Sequence, residues 1–236
     1  MPGWKYKIFY VKKKYWFLLF GVILTGELIG IQLQNITIQV FLKPLIIPAL
    51  IGYLDSRLLS ITKGLSKWIL GALLFSLAGD VLLMFEEKDS IFFLLGLSSF
   101  LLAHIFYIVF FHQVRLKEKI KSNPWLLVAV VIYYAALVTL LTPSLADMKI
   151  PVLIYGIVIS FMFMLAMHML FIKNKSAGKW MMIGALLFVI SDSLLAINKF
   201  YQSFEGAGIL IMLTYGLAQL FIVEGASRYM RSANSN

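Results

Sequence analysis

Two aspartates, Asp80 and Asp192, lie inside long apolar stretches of the 236-residue sequence. In a membrane, an ionisable side chain costs several kcal/mol unless it is paired or hydrated, so each position needs a chemical reason. Two carboxyl groups that lie close together do not readily both ionise, and one of them then keeps its proton beside an anionic partner. Carboxylate-pair hydrolases divide acid and base work in this way. A proton relay in a transporter would show the same pair.

The two aspartates occupy matching positions in an internal similarity. Segment 71–83 reads GALLFSLAGDVLL and segment 184–195 reads GALLFVISDSLL. The apolar stretches that follow share LAHIFYIV (102–109) and LAQLFIV (217–223). This pattern favours two tandem four-helix halves, each with an aspartate in its third helix. Chance similarity between leucine-rich helices is the alternative, since the other spans show no comparable match.

Two further charged side chains lie at the depth of the aspartates. At 1.5 Å per helical residue, Glu27, Lys43, Asp80 and Asp192 lie roughly 7–11 Å below the same membrane boundary. Glu27 can pair with Lys43, either as simple neutralisation or as a charge partner of the site. Four helices therefore place charged groups at about one level.

Composition requires that nearly the whole chain lies in a membrane. Apolar residues make up 61% of the sequence and charged residues 14%, whereas a soluble domain carries about a quarter charged residues. Residues 1–236 are predicted to form a single all-α membrane domain, because helices satisfy their own backbone hydrogen bonds in lipid. About eight spans are expected, near 15–33, 37–54, 67–85, 90–112, 125–142, 150–172, 178–199 and 206–227.

Basic residues alternate between the two sides of these spans and predict the orientation. One side carries Lys5, Lys7, Lys12, Lys13, Lys14, Arg57, Lys63, Lys67, Arg115, Lys117, Lys119, Lys121, Lys173, Lys175, Lys179, Arg228 and Arg231. The other side carries Lys88, Lys149 and Lys199. By the positive-inside rule both termini face the cytoplasm, and we expect a bacterial inner membrane. The formal charge of +10 thus reflects membrane orientation and lipid headgroups rather than nucleic-acid binding.

Several kinds of chemistry are excluded by the residues present. The chain has no cysteine, which excludes disulfides, thiol nucleophiles and cysteine-based metal sites. It has three scattered histidines, and it lacks the GxSxG, HExxH, phosphate-loop and dinucleotide motifs. We therefore expect neither a metal nor an organic cofactor.

An ordered set of segments resembles the YhhN-like lysoplasmalogenase family between about residues 40 and 225. The segments are GDVLLM (79–84), LAH (102–104), LFVISDSLL (187–195) and YGLAQ (215–219), with Lys43-Pro44 in the second span. Members of that family are eight-span membrane proteins. Those that have been characterised hydrolyse the vinyl ether of lysoplasmalogens to a fatty aldehyde and a glycerophospho-ethanolamine or -choline.

The resemblance implies roles for individual residues of this chain. Asp80 and Asp192 become the catalytic acid and base, in either order, acting on a lysophospholipid drawn from the surrounding membrane lipids. Lys43 becomes a ligand of the lipid phosphate. The pocket is shaped, or the water held, by His104, Tyr107, Tyr215 and Gln219. Interhelical hydrogen bonding is the simpler interpretation of these last four. No protein partner is identified.

Two other functions fit the same buried carboxyl groups. A secondary transporter or a lipid-binding membrane protein would also combine a tandem repeat with charged groups inside the membrane. Transporters of this kind carry broken helices in corresponding spans, but here the second span has Pro44 and Pro48 while the sixth has only Pro151 at its start. A purely structural protein would tolerate the loss of both aspartates.

Overall fold

The described part of the chain is helical. A computed structural model describes residues 13–58 and 64–233, and no β-strand occurs in these two ranges. Eight of their helices are long and apolar enough to cross a membrane. They are α1 (Lys13–Gln32), α2 (Ile36–Asp55), α3 (Ser66–Leu83), α4 (Ser90–Lys117), α5 (Pro124–Leu141), α6 (Lys149–His168), α7 (Lys175–Ala196) and α8 (Ala207–Ala233). The predicted eight-span all-α fold is confirmed, and the chain is a multi-pass membrane protein.

Short polar side chains define where several helices begin. Asn35, Asp89, Asn123 and Asn174 each accept a backbone N–H from the first turn of α2, α4, α5 and α7, respectively, at 2.9–3.1 Å. Such caps satisfy N–H groups that have no partner inside the helix. Because α4 and α8 have 28 and 27 residues, both continue several residues beyond their predicted spans.

Helix α2 contains two prolines beside its only lysine. Pro44 and Pro48 lie inside α2, where each removes a backbone N–H from the helical hydrogen-bond ladder. The helix nevertheless continues without a break from Ile36 to Asp55. Lys43 therefore projects from a segment of α2 with a weakened hydrogen-bond ladder.

The two helix pairs that carry the internal similarity are each closely packed. Helix α3 packs extensively on α4, and α7 on α8. Between α7 and α8 the backbones approach so closely that a Cβ atom on Gly184 would lie 2.7 Å from the backbone nitrogen of Ile222 and 2.8 Å from the carbonyl oxygen of Ala218. Only glycine fits this crossing, which sets the position of Asp192 on α7 relative to α8.

Replacing Gly184 with alanine is therefore expected to destabilise the protein. The added methyl group meets backbone atoms, which cannot rotate away, and overpacking of this kind costs about 1–3 kcal/mol. Thermal unfolding in detergent should show a lower midpoint for Gly184→Ala. Gly21→Ala is the matched control, because a Cβ atom there meets nothing within 4 Å. Equal midpoints for the two variants would contradict the close crossing.

An ion cluster joins α2 to α8 at the end of the bundle where α2 and α8 both end, which we call the terminal end. Glu224 accepts hydrogen bonds from Arg228 Nε at 2.6 Å, from Arg57 Nη2 at 3.3 Å and from the Tyr53 hydroxyl at 2.5 Å. Both oxygens of the Glu224 carboxylate thus have hydrogen-bond donors, and Glu224 has a structural role in joining α2 to α8.

His168 is likewise a structural residue. Its Nδ1 atom donates to the carbonyl oxygen of Met164 at 2.8 Å, and its Nε2 atom accepts the backbone N–H of Asn123 at 3.2 Å. The ring is fully buried and ties the end of α6 to the start of α5.

Candidate active site

Six helices surround a cavity of about 120 Å³ near the end of the bundle opposite the terminal end. Five of them each contribute one large polar side chain to the lining: Lys43 from α2, Asp80 from α3, Tyr155 from α6, Asp192 from α7 and Tyr215 from α8. Most of the remaining wall is apolar. It is formed by Leu83, Phe93, Leu97, Phe100, Val152, Leu195, Ala196, Phe200, Ile211 and Met212, together with Ser191. The structure thus brings both predicted aspartates to one largely apolar space.

Asp80 lies in the more enclosed and more charged half of the cavity. Its residue surface is 2% exposed, and its Oδ2 atom accepts a hydrogen bond from the Tyr215 hydroxyl at 2.7 Å. Lys43 interacts electrostatically with the carboxyl groups of both Asp80 and Glu27. Glu27 is buried, and its Oε2 atom has no hydrogen-bond partner among the described residues. One ammonium group thus interacts electrostatically with two carboxyl groups.

Asp192 lies in the other half, with uncharged or weakly basic neighbours. The Tyr155 hydroxyl donates a hydrogen bond to its Oδ2 atom. His104 Nε2 lies 3.7 Å from the same oxygen, and the Asp192 side chain remains 14% exposed. The ring of His104 packs edge-on against Tyr155 and Phe188. Asp192 is therefore the aspartate that a molecule entering the cavity reaches more easily.

The two halves share one design, because each aspartate accepts a hydrogen bond from a tyrosine on a neighbouring helix. Both tyrosines line the same cavity as the carboxyl groups to which they donate.

Three of the predicted site residues lie behind the lining rather than in it. The Tyr107 hydroxyl donates to Gln219 Oε1 at 2.5 Å, and Gln219 Nε2 donates to Ser76 Oγ at 2.9 Å. Gln219 also interacts with the Tyr215 side chain, one helical turn before it on α8. Tyr107, Gln219 and His104 are fully buried and do not line the cavity in the described structure. Of the residues predicted to bind substrate, Lys43 and Tyr215 are the two that face the open space.

His104 is unusual because it is buried without hydrogen bonds. Neither ring nitrogen has a hydrogen-bond partner among the described residues. A buried polar group without a partner costs about 1–3 kcal/mol, so the ring must have another reason to be there. Its Nε2 atom lies 3.7 Å from the Asp192 carboxyl group.

Tyr155 is the site residue that sequence reasoning missed. It lies in the middle of the apolar helix α6, and no polar residue at helical spacing draws attention to it. The available signal was the phenol itself, because a tyrosine hydroxyl buried in a span needs a hydrogen-bond partner.

The described residues contain no group of three or more histidine, aspartate or glutamate side chains arranged to hold a metal ion. We assign no metal site. Two carboxyl groups with tyrosine donors in an apolar cavity can transfer protons and stabilise a cation without one.

Comparisons with known proteins point to one family. The family model described as YhhN family matches residues 38–226. Lysoplasmalogenase TMEM86B of Homo sapiens is 32% identical over 171 residues, which are 72% of this chain and 68% of that protein. The protein of the same name from Mus musculus is 33% identical over 166 residues, 70% of this chain and 66% of that protein. A lysoplasmalogenase of Mycobacterium bovis is 29% identical over 162 residues, 67% and 60% of the two chains.

The matched region contains nearly the whole cavity. Lys43, Asp80, Asp192 and Tyr215 lie within residues 38–226, whereas Glu27 lies before them. The matches extend over about two thirds of the length of these relatives. No solved structure matches the chain.

Proposed function

The chain belongs to the YhhN family, and we propose that it hydrolyses the vinyl ether bond of lysoplasmalogens to a fatty aldehyde and a glycerophospho-alcohol. Its named relatives support a hydrolase acting on this bond. The observation that carries the proposal is the pair of carboxyl groups, Asp80 and Asp192, on one largely apolar cavity. Vinyl ethers are cleaved by acid, so this pair supplies the required chemistry without a cofactor.

We assign the proton donor to Asp192 and the base to Asp80. A cation beside a carboxyl group favours its ionised form, and Lys43 interacts with Asp80. Asp192 faces Tyr155 and His104 instead and is the more exposed of the two. A protonated Asp192 can therefore reach the substrate, while an anionic Asp80 lies in the other half of the cavity.

The reaction then runs as two linked proton exchanges. Asp192 protonates the β-carbon of the vinyl ether, which leaves an oxocarbenium ion at the carbon bonded to oxygen. Water adds to that carbon, and Asp80 takes the proton that the water loses. Asp80 next protonates the glyceryl oxygen of the resulting hemiacetal as its carbon–oxygen bond breaks. The hemiacetal hydroxyl returns its proton to Asp192, and the aldehyde leaves.

The residues around the aspartates position and stabilise them. Tyr215 donates to Asp80 at 2.7 Å, and its neighbour Gln219 is held in place by hydrogen bonds with Tyr107 and Ser76. Tyr155 donates to Asp192 and so stabilises the carboxylate that remains after proton transfer. His104, 3.7 Å from Asp192, is close enough to support that negative charge through a short rearrangement or one bridging water.

Aldehyde release in heavy water tests the proposed function. Purified protein in detergent is incubated with a 1-alkenyl lysophospholipid in D₂O, and the aldehyde is analysed by mass spectrometry. The mechanism predicts one deuterium on the carbon next to the carbonyl group. The 1-alkyl analogue, which has a saturated ether, should release nothing. No aldehyde from a monodisperse sample would contradict the proposal, and assays in sealed vesicles would then test lipid transport.

Tyr155→Phe is expected to lower kcat about tenfold, the effect of losing one hydrogen bond to a charged group. Without the phenol the Asp192 carboxylate is less stable after proton transfer, so protonation of the substrate is slower. Tyr134→Phe is the control, because the Tyr134 hydroxyl donates to the backbone oxygen of Leu153 on the opposite side of α6 from the site. Equal kcat values for the two variants would remove Tyr155 from the mechanism.

We also propose that the eight helices form one membrane domain with the terminal end in the cytoplasm. The supporting observation is charge, because Arg57 and Arg228 lie in the ion cluster at that end, and loops at the same end are rich in lysine. Lys5, Lys7, Lys12 and Lys63, which entered the sequence prediction, lie outside the described residues. A bacterial inner membrane stays an expectation. Cysteines placed one at a time in the loops and labelled with an impermeant reagent would test the orientation.

A further inference from the structure

An ion pair lies at the rim of the cavity. Lys199 Nζ donates to Glu86 Oε2 at 3.2 Å, and the two side chains are 40% and 34% exposed. Glu86 follows the end of α3, and Lys199 follows the end of α7. The pair therefore spans the two helices that carry the aspartates, at the end of the bundle nearest to the cavity.

The pair is in direct contact with the wall of the cavity. Lys199 Nζ lies 4.9 Å from the centre of the Phe93 ring. Phe93 packs edge-on against Phe200 with 5.7 Å between ring centres, and both rings line the cavity. A charged group bound to Lys199 would therefore lie at the edge of the apolar wall.

A local irregularity of α7 creates this arrangement. Residues Ile197–Tyr201 form a π-helical turn, a rare form that is frequently found at functional sites. Phe200 from this turn faces the cavity, while its neighbour Lys199 faces Glu86. The turn thus places an apolar and a cationic side chain next to each other at the rim.

The spacing between the aspartates and the rim matches the proposed substrate. Lys199 lies seven positions after Asp192, which is about 10 Å along a helix. In a lysoplasmalogen about seven bonds separate the β-carbon of the vinyl ether from phosphorus, on the order of 9 Å when extended. With the β-carbon at Asp192, the phosphate therefore reaches Lys199.

We propose that Lys199 and Glu86 form the headgroup site, with Lys199 binding the phosphate of the lysophospholipid and Glu86 binding its ammonium group. This inference rests on the proposed function, because the distance is measured from the reacting bond. The resting ion pair is half-exposed, and such pairs contribute little stability. Lys199 can therefore leave Glu86 and bind the phosphate, and Glu86 can bind the ammonium group, at little cost in stability. Lys43, which the sequence suggested for the phosphate, is close enough to Asp80 and Glu27 to interact electrostatically with both carboxyl groups.

Binding of saturated ether lipids tests the headgroup site independently of catalysis. Titration calorimetry compares 1-alkyl-glycerophosphocholine, 1-alkyl-glycerophosphate and 1-alkylglycerol on the wild type and the variants. Lys199→Gln should weaken binding of the two phosphate-containing lipids about tenfold, the loss of one charge-assisted hydrogen bond. It should leave 1-alkylglycerol unchanged. Glu86→Gln should weaken only the choline lipid.

Two further variants make the outcome decisive. Lys88→Gln is the control. Lys88 contacts the ring of Phe85, and Phe85 is not among the described residues that line the cavity. The Lys88→Gln variant should bind all three lipids as the wild type does. The exchange Glu86→Lys with Lys199→Glu keeps an ion pair but reverses it, and it should weaken binding like Lys199→Gln. Unchanged binding in Lys199→Gln, or equal losses for all three lipids, would overturn the headgroup site. If the substitutions weaken lipid binding as expected but the wild type releases no aldehyde, the proposed hydrolase activity is wrong and the headgroup site stands.

Discussion

Asp192→Asn is expected to lower the rate of aldehyde release by a factor of about a thousand, within the range found for loss of a general acid. The amide has nearly the shape of the carboxyl group and still accepts the hydrogen bond from Tyr155. It cannot, however, donate a proton of sufficient acidity to carbon. The variant should fold and bind lipid normally, because the change removes a proton donor and little else.

The measurement for Asp192→Asn is kcat with a 1-alkenyl lysophospholipid, together with binding of its saturated 1-alkyl analogue. Asp55→Asn is the control, since Asp55 is an exposed residue at the end of α2 and should keep wild-type kcat. A loss of both kcat and lipid binding would indicate a damaged cavity rather than a missing acid. Wild-type kcat in Asp192→Asn would remove Asp192 from the reaction altogether.

The depth of the charged residues in the membrane is the part of this site that the sequence predicted. Glu27, Lys43, Asp80 and Asp192 could be placed at one level because the rise per residue is fixed and the span ends are marked by charged loops. The structure places three of them on the cavity, with Glu27 coupled to it through Lys43. Depth is therefore readable from a sequence of this kind.

The sequence did not show in the same way which side chains of each helix point into the bundle. In lipid a helix is apolar on all sides, so no polar face shows which side chains point inward. His104 and Tyr107 were therefore expected in the pocket, whereas the structure buries both behind the lining. Tyr155 was overlooked for the same reason, since no polar residue lies three or four positions from it on α6 to mark that face. The packing of α4 and α6 against each other, which decides these directions, is a tertiary property.

The ion pair at the rim shows a second limit of the sequence. Lys199 and Glu86 are 113 positions apart. Lys199 was counted only among the loop charges that orient the spans, and Glu86 was not singled out. Their meeting depends on α3 and α7 ending on the same side of one cavity and on the π-helical turn after α7. Neither feature has a sequence signal as strong as a buried aspartate.

The second large effect is expected at Asp80. Asp80→Asn should lower kcat by a factor of about a hundred to a thousand, as for removal of an electrostatic group that stabilises a transition state. The amide cannot take the proton from water or stabilise the oxocarbenium ion with a negative charge. The variant should still fold, because Lys43 keeps the Glu27 carboxyl group as a neighbour. Tyr215 also keeps an oxygen to which it can donate.

Lys43 decides whether Asp80 has the role of the base. Lys43→Gln alone should lower kcat about tenfold or more, since the Asp80 carboxylate loses its neighbouring cation. If Lys43 acts through Asp80, adding Lys43→Gln to Asp80→Asn should cost little further activity, because interacting residues are not additive. If Lys43 instead bound the lipid phosphate, the same change would raise KM in either background and leave kcat unaltered. A fully additive loss in kcat would mean that Lys43 and Asp80 act independently, and it would contradict the assignment of Asp80 as the base that Lys43 keeps ionised.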